Sequence, residues 1–154
     1  MRALRRVVLL AFGVLIWAAP LSACQCQEQP STEAGISSHT LIFVGRVVSG
    51  RFLGDGSIRG GRYGREFFFD PQEVLKGDFG LRKITVITGV GGGDCGFDFI
   101  VGRKYLVYAA RNVKGQFGTS ICSTTEEYRA NDPERLNRVR KWIFAIGREK
   151  NGHD

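Results

Sequence analysis

The stretch Thr40-Leu41-Ile42-Phe43-Val44-Gly45-Arg46-Val47-Val48 reads as a β-strand with one internal glycine, and it sets the class of fold. Aliphatic and β-branched residues fill it, and the strand is expected to run from Thr40 to Phe52. Gly45 breaks the apolar run, which suggests a bulge or sharp bend of the kind common in small closed sheets. Upstream, residues 27–38 are polar, and Ser31 after Pro30 is suited to capping a short helix. Downstream, the glycine-rich stretch from Gly54 to Gly64 reads as a hairpin loop.

Further strand patterns follow in order. Glu66 to Leu75 is aromatic and β-branched but carries Pro71, so an edge position or a bulge is expected there. Lys83 to Thr88 alternates, Arg103 to Ala110 carries Tyr105, Val107 and Tyr108, and Phe117 to Thr124 is the last strand expected, with Cys122 inside it. Between them, Gly89-Val90-Gly91-Gly92-Gly93-Asp94 reads as a slack loop that delivers Cys95. The period then changes. Asp132 is an apt N-cap, Pro133 suits the first helical position, and Leu136, Val139, Ile143 and Ile146 recur at helical spacing with Trp142 beside them. Gly147 is the expected stop. Five strands, one terminal helix and turn signals between strands predict an all-β fold, a small antiparallel β-barrel.

The start of the chain has the parts of a secretory signal. Arg2, Arg5 and Arg6 precede an apolar run from Val7 to Ala19, and the small residues Ser22 and Ala23 follow. Residues 1–23 are therefore expected to be removed, leaving residues 24–154 as one domain without repeats or linkers. The apolar run is shorter than the roughly 20 residues of a membrane span, and no later stretch approaches that length. Three of the 22 lysines and arginines lie in the leader, whereas all 15 acidic residues lie after it. That leaves 19 against 15, an excess of four, read as spread along the chain. So modest a charge, on an exported chain, argues against nucleic acid as a partner.

Chemistry is concentrated at Cys24-Gln25-Cys26, directly after the expected cleavage point. With Cys95 and Cys122 these make four cysteines, an even number that reads as two disulfides in three arithmetically open connectivities. A bridge from the N-terminus closes a loop of 70 residues or more, which the chain-entropy argument values at roughly 4 kcal/mol. A metal site of the protein's own is disfavoured: Cys-x-Cys lacks the usual two-residue spacing, and His39 and His153 supply no ligand pattern. The glycine run lacks the Gly-Lys-Ser/Thr ending of a phosphate loop. Phe67, Phe68 and Phe69 near Arg62 and Arg65 are read as alternating core residues rather than a base-stacking platform. Asp94 and Asp98 flank Cys95 and are read as solvated loop carboxylates. No catalytic set is present, so an enzyme is not expected and no cofactor is implied.

The new chain end has chemistry of its own. A terminal α-amine titrates near pH 8 and is partly neutral at pH 7. With the Cys24 carbonyl oxygen it can chelate a metal in a five-membered ring. A catalytic zinc keeps one position open for water, and a rigid amine placed there displaces that water. Disulfides at the first and third residues would supply the rigidity.

At these residues the chain resembles the N-terminal, netrin-like inhibitory domain of the tissue inhibitor of metalloproteinases family. The resemblance covers most of the mature chain. It is carried by Cys24-Gln25-Cys26, Phe43-Val44-Gly45-Arg46-Val47, Phe69 to Val74 with Leu75-Lys76-Gly77, Asp94-Cys95-Gly96, Phe99, Val101-Gly102, Tyr105-Leu106-Val107 and Cys122. The cysteine spacing is its specific part. It implies Cys24–Cys95 and Cys26–Cys122 disulfides and an OB-like five-stranded antiparallel barrel with flanking helices. It further implies a monomer that inhibits zinc metalloproteinases, with the Cys24 amine and carbonyl on the target's zinc and Gln25 in its specificity pocket. The family's third N-domain disulfide and its cysteine-rich C-terminal domain are missing. Gln25 stands where the family usually has a small or hydroxylated residue.

Leu21-Ser22-Ala23-Cys24 also fits a bacterial lipobox, whose cysteine is lipidated on sulfur and acylated on nitrogen. That alternative makes the protein a membrane-anchored lipoprotein whose barrel binds another protein without inhibiting it. It leaves three thiols, an odd number for an exported chain, so the free end is preferred and the protein is expected to be secreted or periplasmic.

Overall fold

The computed structural model describes Cys24, Cys26 and residues 32–54, 64–77, 83–112, 114–129 and 133–151. The expected leader, Gln25, the caps at Ser31 and Asp132, and most of the Gly54 to Gly64 loop lie outside them. The elements in chain order are helix α1 (Thr32–Ser38) and strands β1 (Leu41–Leu53), β2 (Gly64–Lys76) and β3 (Ile84–Thr88). After a 3-10 turn (Gly92–Asp94) come β4 (Lys104–Arg111), β5 (Phe117–Gly118), β6 (Glu126–Glu127) and helix α2 (Pro133–Asn151).

The strands run β1-β2-β3-β5-β4-β6, and β1 also pairs with β4, so five of them close in a ring and β6 lies outside it. Four of the five ring pairings are antiparallel, but β3–β5 is parallel, Val86 facing Phe117 and Ile87 facing Gly118. The all-antiparallel expectation fails for a reason of parity. Strand direction cannot alternate around an odd-membered ring, so one pair must be parallel.

β1 is buried on both faces over its first half. Leu41, Phe43 and Val47 point into the ring, with Phe67, Phe69, Ile84, Val86, Phe99, Tyr105, Val107, Ala109 and Phe117. Ile42 and Val44 point outward and meet Ile36 of α1, Leu106 and Tyr108 of β4, and Leu136 and Val139 of α2. The helical stripe read from the sequence is thus the face that covers the ring's outer wall. Inside the ring, Phe43–Phe69, Phe69–Phe99 and Phe99–Tyr105 meet edge to face at 5.3, 5.1 and 4.9 Å between centroids. A fully buried phenylalanine contributes about 1.5–3 kcal/mol over an exposed one, so this cluster dominates the interior. Phe67 and Phe69 are buried while Phe68, half-buried between them, lies under Arg51, as strand alternation requires.

The expected irregularity at Gly45 is present. The β1–β2 register shifts between Val44 and Gly45, and the extra residue is Gln72, beside Pro71, on the opposite strand. A Cβ on Gly45 would stand 2.9 Å from the Phe43 ring and 3.2 Å from the Asp70 carbonyl oxygen, so the glycine makes room for a core aromatic. The Pro71 half of β2 pairs with β1 alone, since β3 reaches only Arg65 to Phe69. The missing proline N–H therefore costs no ladder bond to β3.

Two local expectations fail. The strand expected over Phe117 to Thr124 stops at Gly118, and Cys122 sits in a turn. Hydroxyl side chains replace the ladder there: Tyr108 N–H donates to Thr125 Oγ1 at 2.9 Å, and Thr119 Oγ1 donates to the Tyr108 carbonyl at 2.9 Å. Ser123 Oγ donates back to the Ser120 carbonyl at 2.6 Å, which closes the turn. The helix expected to end at Gly147 continues to Asn151, because Ile146 still packs on the ring's outer wall and Arg148 stacks on Phe144 at 4.6 Å.

Tyr108 is fully buried, and its hydroxyl has no hydrogen-bond partner among the described residues. Burial pushes its pKa up to about 12. An unpaired buried hydroxyl has already lost its water without compensation, so Tyr108→Phe should leave the thermal midpoint unchanged or raise it by a few degrees. A clear fall in a melting experiment would show that the hydroxyl is satisfied.

Candidate functional site

The structure brings all four cysteines to one end of the ring. Cys24 is bonded to Cys95 and Cys26 to Cys122, with Cα atoms 5.4 and 5.3 Å apart across 71 and 96 residues. The first and third residues after the expected cleavage point are therefore held on two different loops. Those loops are themselves joined, Ile121 N–H donating to the Cys95 carbonyl at 3.0 Å. The Sγ atoms of Cys24, Cys95 and Cys122 lie within 4.8 Å of one another, a spacing compatible with a shared metal. As disulfide sulfurs, however, they offer no thiolate to an ion.

The loop that delivers Cys95 is tightly tied, contrary to its reading as slack. Asp94 closes the 3-10 turn and accepts hydrogen bonds from the backbone N–H groups of Val90 (2.7 Å), Gly91 (2.9 Å) and Gly96 (3.2 Å). Asp94 is thus a clamp rather than a merely solvated carboxylate. Two of its partners, Val90 and Gly91, belong to the glycine-rich run itself, and the third, Gly96, follows Cys95. A Cβ on Gly96 would run into the Gly89 carbonyl, so the two ends of the turn touch backbone to backbone. Cys95 itself takes the left-handed conformation (φ 56°, ψ 27°), a position that costs a non-glycine residue on the order of 1 kcal/mol. Its bond to Cys24 and the surrounding clamps hold it there.

Arg65 of β2 fastens the same loop from outside. Its guanidinium donates to the Gly89 carbonyl at 3.2 Å, the Phe97 carbonyl at 3.1 Å and the Asp98 carboxylate at 2.6 Å. Thr88 Oγ1 accepts from Phe97 N–H at 2.7 Å, and Tyr105 Oη accepts from Ile100 N–H at 2.9 Å. Asp98 is therefore ion-paired rather than free. Sequence reading missed Arg65, and its one signal was position: a cation at the end of β2, which pairs with the strand that feeds the loop. Val90 and Ile121, each about 40% exposed, put apolar surface on the two loops that hold Cys24 and Cys26. Gln25, expected to enter a target pocket, lies outside the described residues.

Backbone donors, Val90 N–H foremost, hold the Asp94 carboxyl below its ordinary value of 3.8. A carboxyl lowered in the folded state stabilises above its unfolded pKa, and that contribution disappears as pH falls through the lowered value. Protection of the Val90, Gly91 and Gly96 amides from hydrogen exchange should follow that course, and Asp94→Asn should weaken it where the carboxylate is ionised and flatten its dependence on pH. Protection unaffected by the substitution would remove Asp94 from this role.

No family model matches the chain, and none of the curated proteins matches it.

Proposed function

We propose that this protein is an exported inhibitor of zinc metalloendopeptidases, and that the five-stranded ring is an OB-like barrel of the netrin-like class. The observation that carries the reading is the double tether of Cys24 and Cys26 to loops that are themselves clamped by Asp94 and Arg65. A free chain end loses several rotatable bonds of freedom on entering a cleft. One fixed at its first and third residues has lost them on folding, so more of its contact energy becomes affinity. The Cys24 amine and carbonyl would take the open position of the target's zinc, and Gln25 would enter the adjoining pocket. Val90 and Ile121 would supply apolar contacts beside it.

The Cys24–Cys95 bond favours this reading over the lipoprotein, because a lipidated sulfur is a thioether and cannot also pair with Cys95. The test is a titration of residual activity for a panel of zinc endopeptidases with the exported protein. Its intact mass reads the cleavage site, the disulfides and the absence of lipid in one measurement. Inhibition of none of them at micromolar protein would sink the proposal and leave a non-inhibitory protein-binding module.

A further inference from the structure

Helix α2 covers the ring with one face and leaves the other in solvent. Its exposed face carries Arg138, Lys141 and Arg148, opposite the stripe of Leu136, Val139, Ile143 and Ile146. Two aromatic residues flank these cations on opposite sides of the helix: Phe144, 64% exposed, beside Lys141 and Arg148, and Trp142, 39% exposed, one turn from Arg138. Phe144 lies one turn from both Lys141 and Arg148, whose guanidinium sits 4.6 Å from its ring centroid. The charge is local rather than spread along the chain. α2 has six basic residues against two acidic ones, an excess of four that equals the whole excess of residues 24–154.

We propose that this face docks on an anionic phospholipid bilayer, with Arg138, Lys141 and Arg148 meeting lipid phosphates and Phe144 and Trp142, on its two flanks, reaching the headgroup boundary. Charge complementarity and shape both favour that occupant. Arg135 and Arg140 are turned to partners on the body, Glu126 and Glu73; Arg138 shares the exposed face with Glu134, 3.8 Å away, and Lys141 and Arg148 stand on the solvent side. A convex helix face has no groove to grip a peptide but can lie on a flat surface. Exposed aromatic rings flanking basic side chains are a composition that partitions into the headgroup layer. Each basic side chain near an anionic leaflet strengthens partitioning by roughly fivefold, and salt screens the effect.

The chain carries its own probe. It has two tryptophans, Trp17 in the expected leader and Trp142 on this face. The emission of the exported protein, checked by mass for loss of residues 1–23, therefore reports on Trp142. Vesicles of phosphatidylcholine containing phosphatidylglycerol should shift that emission to the blue, high salt should reverse the shift, and pure phosphatidylcholine should not cause it. Lys141→Glu with Arg148→Glu should lower binding at least about tenfold, and Phe144→Ser should weaken it several-fold, with unchanged circular dichroism in both. If the mass shows a lipid on Cys24, parent and variants share that anchor and their difference still reads the helix face. Unmoved Trp142 emission, an equal response to both vesicle types, or equal binding by the charge-reversed variant overturns the proposal. A shift caused by a soluble sulfated polysaccharide but not by vesicles overturns it as well, and makes the face a polyanion site.

Discussion

One residue added ahead of Cys24 is expected to reduce inhibition of zinc endopeptidases by at least about a hundredfold, with no change in melting temperature. The added residue turns the terminal amine into an amide. An amide nitrogen has its lone pair delocalised into the carbonyl and does not bind zinc at neutral pH, and the extra atoms crowd the position that the amine would take. Acetylation of the same nitrogen should act alike. Neither change touches Cys95, Cys122 or the clamps on their loops, so the fold serves as its own control. Gln25→Thr tests the neighbouring position. It removes an amide that would be buried unpaired in a narrow apolar pocket, and tighter binding to proteases with such pockets is expected. Undiminished inhibition by the extended protein would falsify zinc chelation by the chain end, whatever the protein does by other surfaces.

Val139→Arg is expected to unfold the protein. Val139 is fully buried and packs with Ile36, Ile42, Val44, Leu106 and Tyr108 between α2 and the outer wall of the ring. A guanidinium there would be desolvated without a partner, at several kcal/mol, against a total stability of about 5–15 kcal/mol for a small domain. Lys141→Glu, on the opposite face, should shift the melting temperature by only a degree or two. Arg140 is a poor control despite its exposure. Its Nε and Nη2 donate to Glu73 at 2.9 and 2.7 Å, so its loss breaks a bidentate pair between α2 and β2. A native-like circular dichroism spectrum and cooperative melt for Val139→Arg would mean that α2 does not pack as described.

What was legible in the sequence was local. Ile84 to Thr88 declared itself as a strand by alternation, and Leu41 to Val47 and Tyr105 to Ala109 by short runs of aliphatic, β-branched and aromatic residues, as strands covered on both faces do. Leu136, Val139, Ile143 and Ile146 declared α2 by the helical period, and Pro133 marked its start. The irregularities at Gly45 and Pro71 were legible too, since each residue type limits what its own backbone can do.

Tertiary structure alone decided what depends on partners far along the chain. Phe117 to Thr124 has the composition of a strand, but the backbone of Tyr108 is satisfied by the hydroxyls of Thr119 and Thr125, and the strand ends after two residues. Asp94 could not be told from a solvated carboxylate until the chain folded back and turned three N–H groups toward it. Arg65 lies 24 to 33 residues before its partners Gly89 and Asp98, and its position did not say which groups it would fasten until β2 and β3 paired. Four cysteines alone permitted three pairings, and the fold realises the one that ties the chain end to two loops. Local pattern records which face of a residue is buried, because burial follows backbone period. It does not record what lies against that face, since that is set by contacts between segments whose separation no short window of sequence contains.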